Sequence, residues 1–550
     1  MADVKKILDL YGELKSRADN IASHRQEVAN VMMPRRAGFA GEDSPDGDRL
    51  NDEIFDSTPQ QAARGLGSAL GTMLRPEGQQ WFFIRAEQPE INGTDDAEAW
   101  FDEAETRMTR RAFDNPKSRF RQAMGEADID LVVFGENTVF AGLNEFKNGM
   151  MYQTQHLKDV FKIVNANGQV DGVIRKKMMT ARQARQFFGS NAEKSQVVKE
   201  TTQTEKHDNE KFEFIHVVMP RADGKISGFS ISLPYSSIWI EVSKKDLIEE
   251  SGFHEFPFIV ARFDTTAGED HGRGPGMVAL PDANMLQAMD ESILISAQKA
   301  VEPPILAPDD GSFNAANTFP GGISYFDAEL AKEMGRMPIQ ALDSNARIDI
   351  GLEMQQDRRE QVRNAFFKNV LALPVDGPQM TATEVIARNQ EFLRELGGVF
   401  GRLESDYIAP MVERTFNVML RNGAFPPIPE VLQGQNIRFE YESPIKKTRQ
   451  QVEAASARQW KDDLILMAEI KPEVLDLINA DEYARFQADA NAVPLKIMNN
   501  DEQTEAIRKQ RAEAEQQAQQ LQEGLALAEG GEKATKAISN LAGSAQTGAA

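Results

Sequence analysis

Gly274 to Ala279, GPGMVA, has the GxGxxA spacing that lets a backbone approach a pyrophosphate when it sits directly between a strand and a helix N-terminus. The apolar run FPFIVARF precedes it, but FDTTAGEDHGR intervenes, and Pro281 is expected to reset the helix start to Pro281 or Asp282. A flexible lead into that helix is therefore the stronger reading of the motif. Glu269, Asp270 and His271 are residue types a divalent cation accepts, yet three polar residues in a glycine-rich loop are more often solvated. His254 and Glu255 lack the second histidine of HExxH, and neither a GxxxxGK[ST] loop nor a GxSxG elbow occurs. With no cysteine in the chain, a disulfide scaffold, a thiolate metal site and a cysteine nucleophile are excluded. Carboxylate pairs are so frequent here that none singles itself out as acid and base. The residues assign no catalytic constellation, no cofactor and no metal.

The elements that would have to position such groups are spread over 550 residues, enough at ~150 per domain for three or four structural units. The formal net charge is -23, from 62 Lys and Arg against 85 Asp and Glu. That sign argues against tight nucleic-acid binding, which draws on Lys and Arg displacing counterions, and leaves room for weak or sliding contact. Val4, Ile7, Leu8, Tyr11, Leu14 and Ile21 share one face of an opening helix that lacks a signal peptide's continuous apolar core. No run approaches the ~20 apolar residues that cross a bilayer. A soluble chain made in the cytosol is expected.

Residues 1 to about 130 read as helices with loop breaks, with Thr94 and Asp95 as caps for the helix in TDDAEAWFDEAETRMTRRAF. From about 131 to 263, short apolar and β-branched runs beginning with LVVFGENTVFAG, punctuated by Asn-Gly and Asp-Gly, predict an antiparallel β-rich unit interrupted by a short helix in TARQARQFFG. A helix over 281–302 follows, then a Pro-, Gly- and Asn-rich stretch over 303–338. In SNARIDIGLEMQQDRREQVRNAFFKNV, the alternation of Ile348, Ile350, Leu352 and Met354 also fits a strand, but the unbroken continuation into DRREQVRNAFF favours a helix. Next comes a rod. Thr381 and Glu384 have capping-box spacing, Ile386, Leu393, Phe400 and Tyr407 recur every seven residues beside Leu396 and Leu403, and Gly397, Gly398, Gly401 and Pro410 predict a kink. The strand IRFEYES, helices from 449 to about 500 and an Ala-, Gln- and Glu-rich tail expected to fray complete an α+β chain.

This order of pieces, with GRGPGMVALPD and MTATEVIARNQE as its most specific stretches, resembles the portal protein, or head-to-tail connector, of short-tailed tailed bacteriophages over about residues 1–500. The resemblance implies a non-enzymatic homo-oligomeric ring of twelve subunits around a double-stranded DNA channel, used for packaging, retention and ejection. It implies a wing over 1–280, a first stem helix over 281–302, a clip over 303–338 and a second stem helix over 339–368. A tunnel loop over 369–380, a kinked helix and wing strand over 381–448, a helical crown over 449–504 and a partly disordered low-complexity tail over 505–550 follow. Its partners would be the terminase large subunit, the major capsid protein and scaffold, and a tail adaptor protein, with no membrane. Its place would be the portal vertex of the virion, after synthesis in the host cytoplasm. The alternatives are a nucleotide-dependent enzyme using GPGMVA and a multidomain scaffold.

Two sets of residues are expected to meet DNA. Asp349, Glu353 and Asp357, at four-residue spacing on the second stem helix, would make an acidic channel wall that repels phosphates; an outward solvated face is the competing reading. In the tunnel loop, Pro374, Val375, Asp376, Gly377 and Pro378 form a restricted turn. Lys368 and Asn369 before it offer a cation and an amide for transient phosphate contact, unless Lys368 only complements the helix dipole. The clip, longer than ordinary connections, would dock the packaging ATPase and later the tail adaptor.

Overall fold

The computed structural model describes residues 3–40, 50, 54–92, 94–144, 147–203, 210–221, 232–301, 305–306, 332, 335, 340–341, 348–368, 397–441, 444–468, 471–490 and 503–516. The chain forms two units, Met1–Thr448 and Arg449–Ala550.

The first unit opens with α1 (Val4–Met32), whose N-cap Asp3 accepts from the Lys6 amide at 3.3 Å. It continues through α2 (Thr58–Leu74), β1 (Phe82–Ala86) and α3 (Asp95–Met108). Thr94 holds the N-cap position of α3, but its hydroxyl donates to the Ile91 carbonyl at 2.8 Å. The anchoring there falls instead to Asp95, Asp96 and Glu98, whose charges suit the helix N-terminus. After α4 (Phe120–Phe134), Gly135 at φ 77° ends the helix and β2 (Glu136–Leu143) begins. Leu131 to Phe134 are thus the last turn of a helix and not the start of a strand, a difference an apolar run this short cannot reveal by periodicity. The glycine that stops them is the signal.

Then come β3 (Met150–Thr154), β4 (Val160–Val164) and β5 (Val170–Thr180), with α5 (Ala181–Phe188) launched by a complete Thr180/Gln183 capping box. α6 (Gln196–Gln203) precedes β6 (Lys211–Pro220), β7 (Tyr235–Glu241), β8 (Asp246–Phe253) and β9 (Phe258–Arg262). Strands β4 to β8 form a five-stranded antiparallel meander, and β3-β2-β9 a three-stranded antiparallel sheet. Period-two alternation gives the meander two apolar faces. Ile174, Ile215, Val217, Ile238 and Ile240 pack under Ile7 and Tyr11 of α1. On the other side, Phe214, Trp239 and Ile248 pack under Ala184, Phe188 and Val198.

The rest of the unit runs through α7 (Pro275–Val301), the short antiparallel pair β10 (Ile305–Leu306) and β11 (Gln340–Ala341), and α8 (Ile348–Ala365). Residues 397–403 are helical, Glu404–Ile408 form a wide π-type turn, and α9 (Ala409–Arg421) continues the rod. The expected irregularity therefore sits at the turn before Pro410, whose missing N–H leaves a carbonyl one turn back without its donor. Thr381, Glu384, Ile386, Leu393 and Leu396 lie outside the described residues. β12 (Ile437–Tyr441), the expected strand, pairs antiparallel with β1. The largest core joins the second half of α1, α2, α3, α4, β2, the first turns of α7 and the rod, with Phe82, Phe101, Phe134, Tyr152, Phe366 and Tyr407 fully buried.

The second unit contains most of α10 (Pro444–Ala468), α11 (Ala480–Ala490) and a helical stretch over 503–516. Arg508 forks onto Asp481 with two bonds of 2.6 Å, and Gln487 donates to the Ala454 carbonyl at 2.8 Å.

Candidate functional site

α7 and α8 form an antiparallel hairpin. Arg358 donates to Asp282 at 2.8 Å, and farther along, a side chain at Gly351 would stand 3.2 Å from Ile293. Asp56, in the segment before α2, clamps the hairpin at its base: its carboxylate accepts from Arg359 at 2.6 Å, and Gln287 donates to its carbonyl at 2.8 Å. On α8, Gln355 and Val362 are buried toward this packing, as is Phe366 just past its end, so the segment is an amphipathic helix and the strand alternative falls away.

Asp349, Glu353 and Asp357 share the opposite, exposed face of α8. Asp357 also accepts from its neighbour Arg358 at 3.0 Å. Such a stripe can repel phosphate and organise mobile cations.

The GPGMVA segment is spent on the protein's own packing. A side chain at Gly272 would overlap the Gly135 carbonyl; one at Gly274 would stand 2.7 Å from the Gly135 nitrogen and the Val132 carbonyl, and one at Gly276 2.5 Å from the Val133 carbonyl. The three glycines let this strip of backbone lie against the turn from α4 into β2. α7 begins at Pro275 and passes through Pro281, which corrects the expected start at 281 or 282: Pro275 suits a first helical position, and the following turn packs Met277, Ala279 and Leu280 into the core.

Residues 4–498 match the family described as bacteriophage head to tail connecting protein. The chain belongs to that family. It is 28% identical over 526 residues to the probable portal protein of Bordetella phage BPP-1, covering 94% of this chain and 92% of that one. It is 27% identical over 581 residues to the portal protein of Salmonella phage epsilon15, covering 99% and 100%.

As a head-to-tail connecting protein the chain is a structural component, and its built chemistry is correspondingly structural. Sequence reasoning did not find the group at the glycine strip: Glu136 accepts from Arg25 of α1 and Lys162 of β4, and takes the Gly272 amide at 3.2 Å. His271 Nδ1 lies 3.7 Å from the same carboxylate. Burial alone would raise the Glu136 carboxyl, but Arg25 and Lys162 outweigh it and hold the group well below its ordinary range. Burial, aided by Arg25, depresses Lys162. The suspected cation trio therefore disperses: Glu269 takes Arg273 at 2.7 Å, the Asp270 carbonyl takes Lys162 at 3.2 Å, and His271 turns to Glu136. Among the described residues no group of acidic and histidine side chains is set to hold a metal. Glu255 serves packing as well, accepting from Arg414 and Arg421 at 2.6 Å each.

A second buried group, also missed, joins Arg75, the residue that caps the C-terminus of α2, and Asp128 of α4, with Tyr407 of the rod donating to Asp128 at 2.9 Å. Asp128 stands near Glu126 and Asp130, and Glu136 between Gly135 and Asn137, so neither carboxylate stood out from its local sequence. Nothing local named their partners.

At the far end of α8, Phe367 adopts φ 54°, a left-handed backbone that a bulky residue rarely takes, and the helix stops. Lys368 follows, half-buried, and is separated from the acidic stripe by the last turns of α8. Asn369, Pro374, Val375, Asp376, Gly377 and Pro378 lie outside the described residues, as does nearly all of 303–338.

Proposed function

We propose that copies of this chain form the ring-shaped portal at one capsid vertex, through which double-stranded DNA is packaged, retained and ejected. The observation that carries this reading is the family match over residues 4–498. The ring, of twelve copies, would dock a packaging ATPase, the terminase large subunit, and later a tail adaptor, and would sit among the major capsid protein and scaffold. In this reading residues 1–280 are the wing, 281–302 and 339–368 the two stem helices, 303–338 the clip, 369–380 the tunnel loop, 381–448 the rod and wing strand, and 449–504 the crown.

Asp349, Glu353 and Asp357 would face the channel. Exposed carboxylates repeated around a ring lower the affinity for a polyphosphate, and DNA held by few counterion-releasing contacts slides. Lys368, with Asn369 and the loop through Pro378, would supply the brief opposite contact at a constriction. Negative-stain imaging of the purified chain tests the assembly: rings with a central hole are expected, and compact monomers would overturn it. The enzymatic alternative has lost its motif, since the glycines of GPGMVA are filled by the protein's own backbone.

A further inference from the structure

α8 carries two apolar edges besides its buried and acidic faces. At about 100° per residue, Ile350 and Met354 share one edge and Leu352 falls roughly 160–200° away. Gly351, Gln355, Val362 and Phe366 occupy one of the two gaps between these edges and pack inward. Asp349, Glu353 and Asp357 occupy the other. Both apolar edges are open: Ile350 is 42% exposed, Leu352 46% and Met354 53%.

We propose that the Leu352 edge of one copy docks against the Ile350/Met354 edge of the next, so that the acidic stripe of each copy is flanked on both sides by a closed apolar seam. The proposal rests on the ring reading and adds to it the faces that meet. A two-fold pair sets an edge against itself and leaves the other edge wet, whereas a closed head-to-tail assembly uses two different edges of every copy. Pairing through the face between them would bring three carboxylates against three, which like-charge repulsion disfavours. The seam also sets the stripe's direction: with both flanks covered and the inner face on α7, the carboxylates have one open side.

The absence of cysteine makes the test direct. Leu352→Cys, Met354→Cys and the double variant are each treated with a short bis-maleimide, and products are sized under denaturing conditions after the parent chain has been imaged. The double variant is expected to give a ladder of many chains, with roughly tenfold or more multi-chain product than either single variant, because docking raises local thiol concentration far above that of chance encounters. Cross-linked dimers from a single variant would mean two-fold pairing and overturn the seam. Rings that give no ladder would show that the edges are covered by the same chain or left bare, overturning the seam while the ring stands. A parent chain that forms no rings would overturn both.

Discussion

Glu136 and the Asp349/Glu353/Asp357 stripe are carboxylates put to opposite uses. Glu136 is 2% exposed between Arg25 and Lys162, where lowered effective dielectric makes each nearby charge count. The three residues of α8 stand in water, where screening leaves each worth little to the fold. The difference teaches that in so acidic a chain the number of carboxylates says little. What surrounds each one decides whether it holds the body together or stands in water.

The sharpest way to break this comparison is to remove one carboxylate of each kind. Glu136→Ala leaves Arg25 and Lys162 buried without their anion and is expected to cost about 3–5 kcal/mol in denaturant unfolding of the first unit. Asp349→Asn with Glu353→Gln and Asp357→Asn should stay within about 0.5 kcal/mol. Similar losses from both would refute the distinction.

pH sharpens it next. Burial pushes Glu105 up to about 7 against the pull of the Ile84 amide and Arg85, and Asp130 up to about 7 against Arg36. Both groups bind a proton more tightly folded than unfolded. Each therefore opposes folding above about pH 7, and that penalty is relieved as pH falls toward the ordinary carboxyl range. Glu136, depressed when folded, acts in the other direction: its contribution is present above its unfolded value and lost only in strong acid. Stability should rise by on the order of 1–3 kcal/mol from about pH 8 to about pH 5.5. Glu105→Gln, which keeps an oxygen for the Ile84 amide, should flatten part of that rise; an unchanged profile would remove Glu105 from the account.

Glycines give a third contrast. Gly274→Ala should destabilise by about 1–3 kcal/mol, because its new carbon meets fixed backbone atoms. Gly398→Ala, in a helix with nothing within 4 Å of the added atom, should stabilise by about 0.5–1 kcal/mol. Thermal unfolding of the two variants side by side gives the signs.

The smallest effect on stability is paired with a functional one. Reversing the stripe to lysine should leave folding within about 0.5 kcal/mol, yet steepen the salt dependence of DNA binding by assembled rings. Lys368→Ala should leave stability within about 1 kcal/mol and lower DNA retention. Unchanged retention would reduce Lys368 to a helix-end charge.

Much of this was legible along the chain because it depends on near neighbours. Thr180 and Gln183 are three residues apart and close a capping box; strand alternation over 211–220 exposes its own faces; the spacing of Asp349, Glu353 and Asp357 is one helical turn at a time. Order and motif together also pointed to the family that the whole-chain match bears out. Tertiary structure alone decided that Gly272, Gly274 and Gly276 are pressed against the Gly135 turn instead of cradling a phosphate. It alone brought Arg25, Glu136, Lys162 and His271 to one place. The physical reason is that periodicity reports which residues share a face of one element, while a buried ion pair or a close backbone approach depends on which elements meet, and those partners lie on other elements, from 26 residues away for Lys162 to 111 for Arg25.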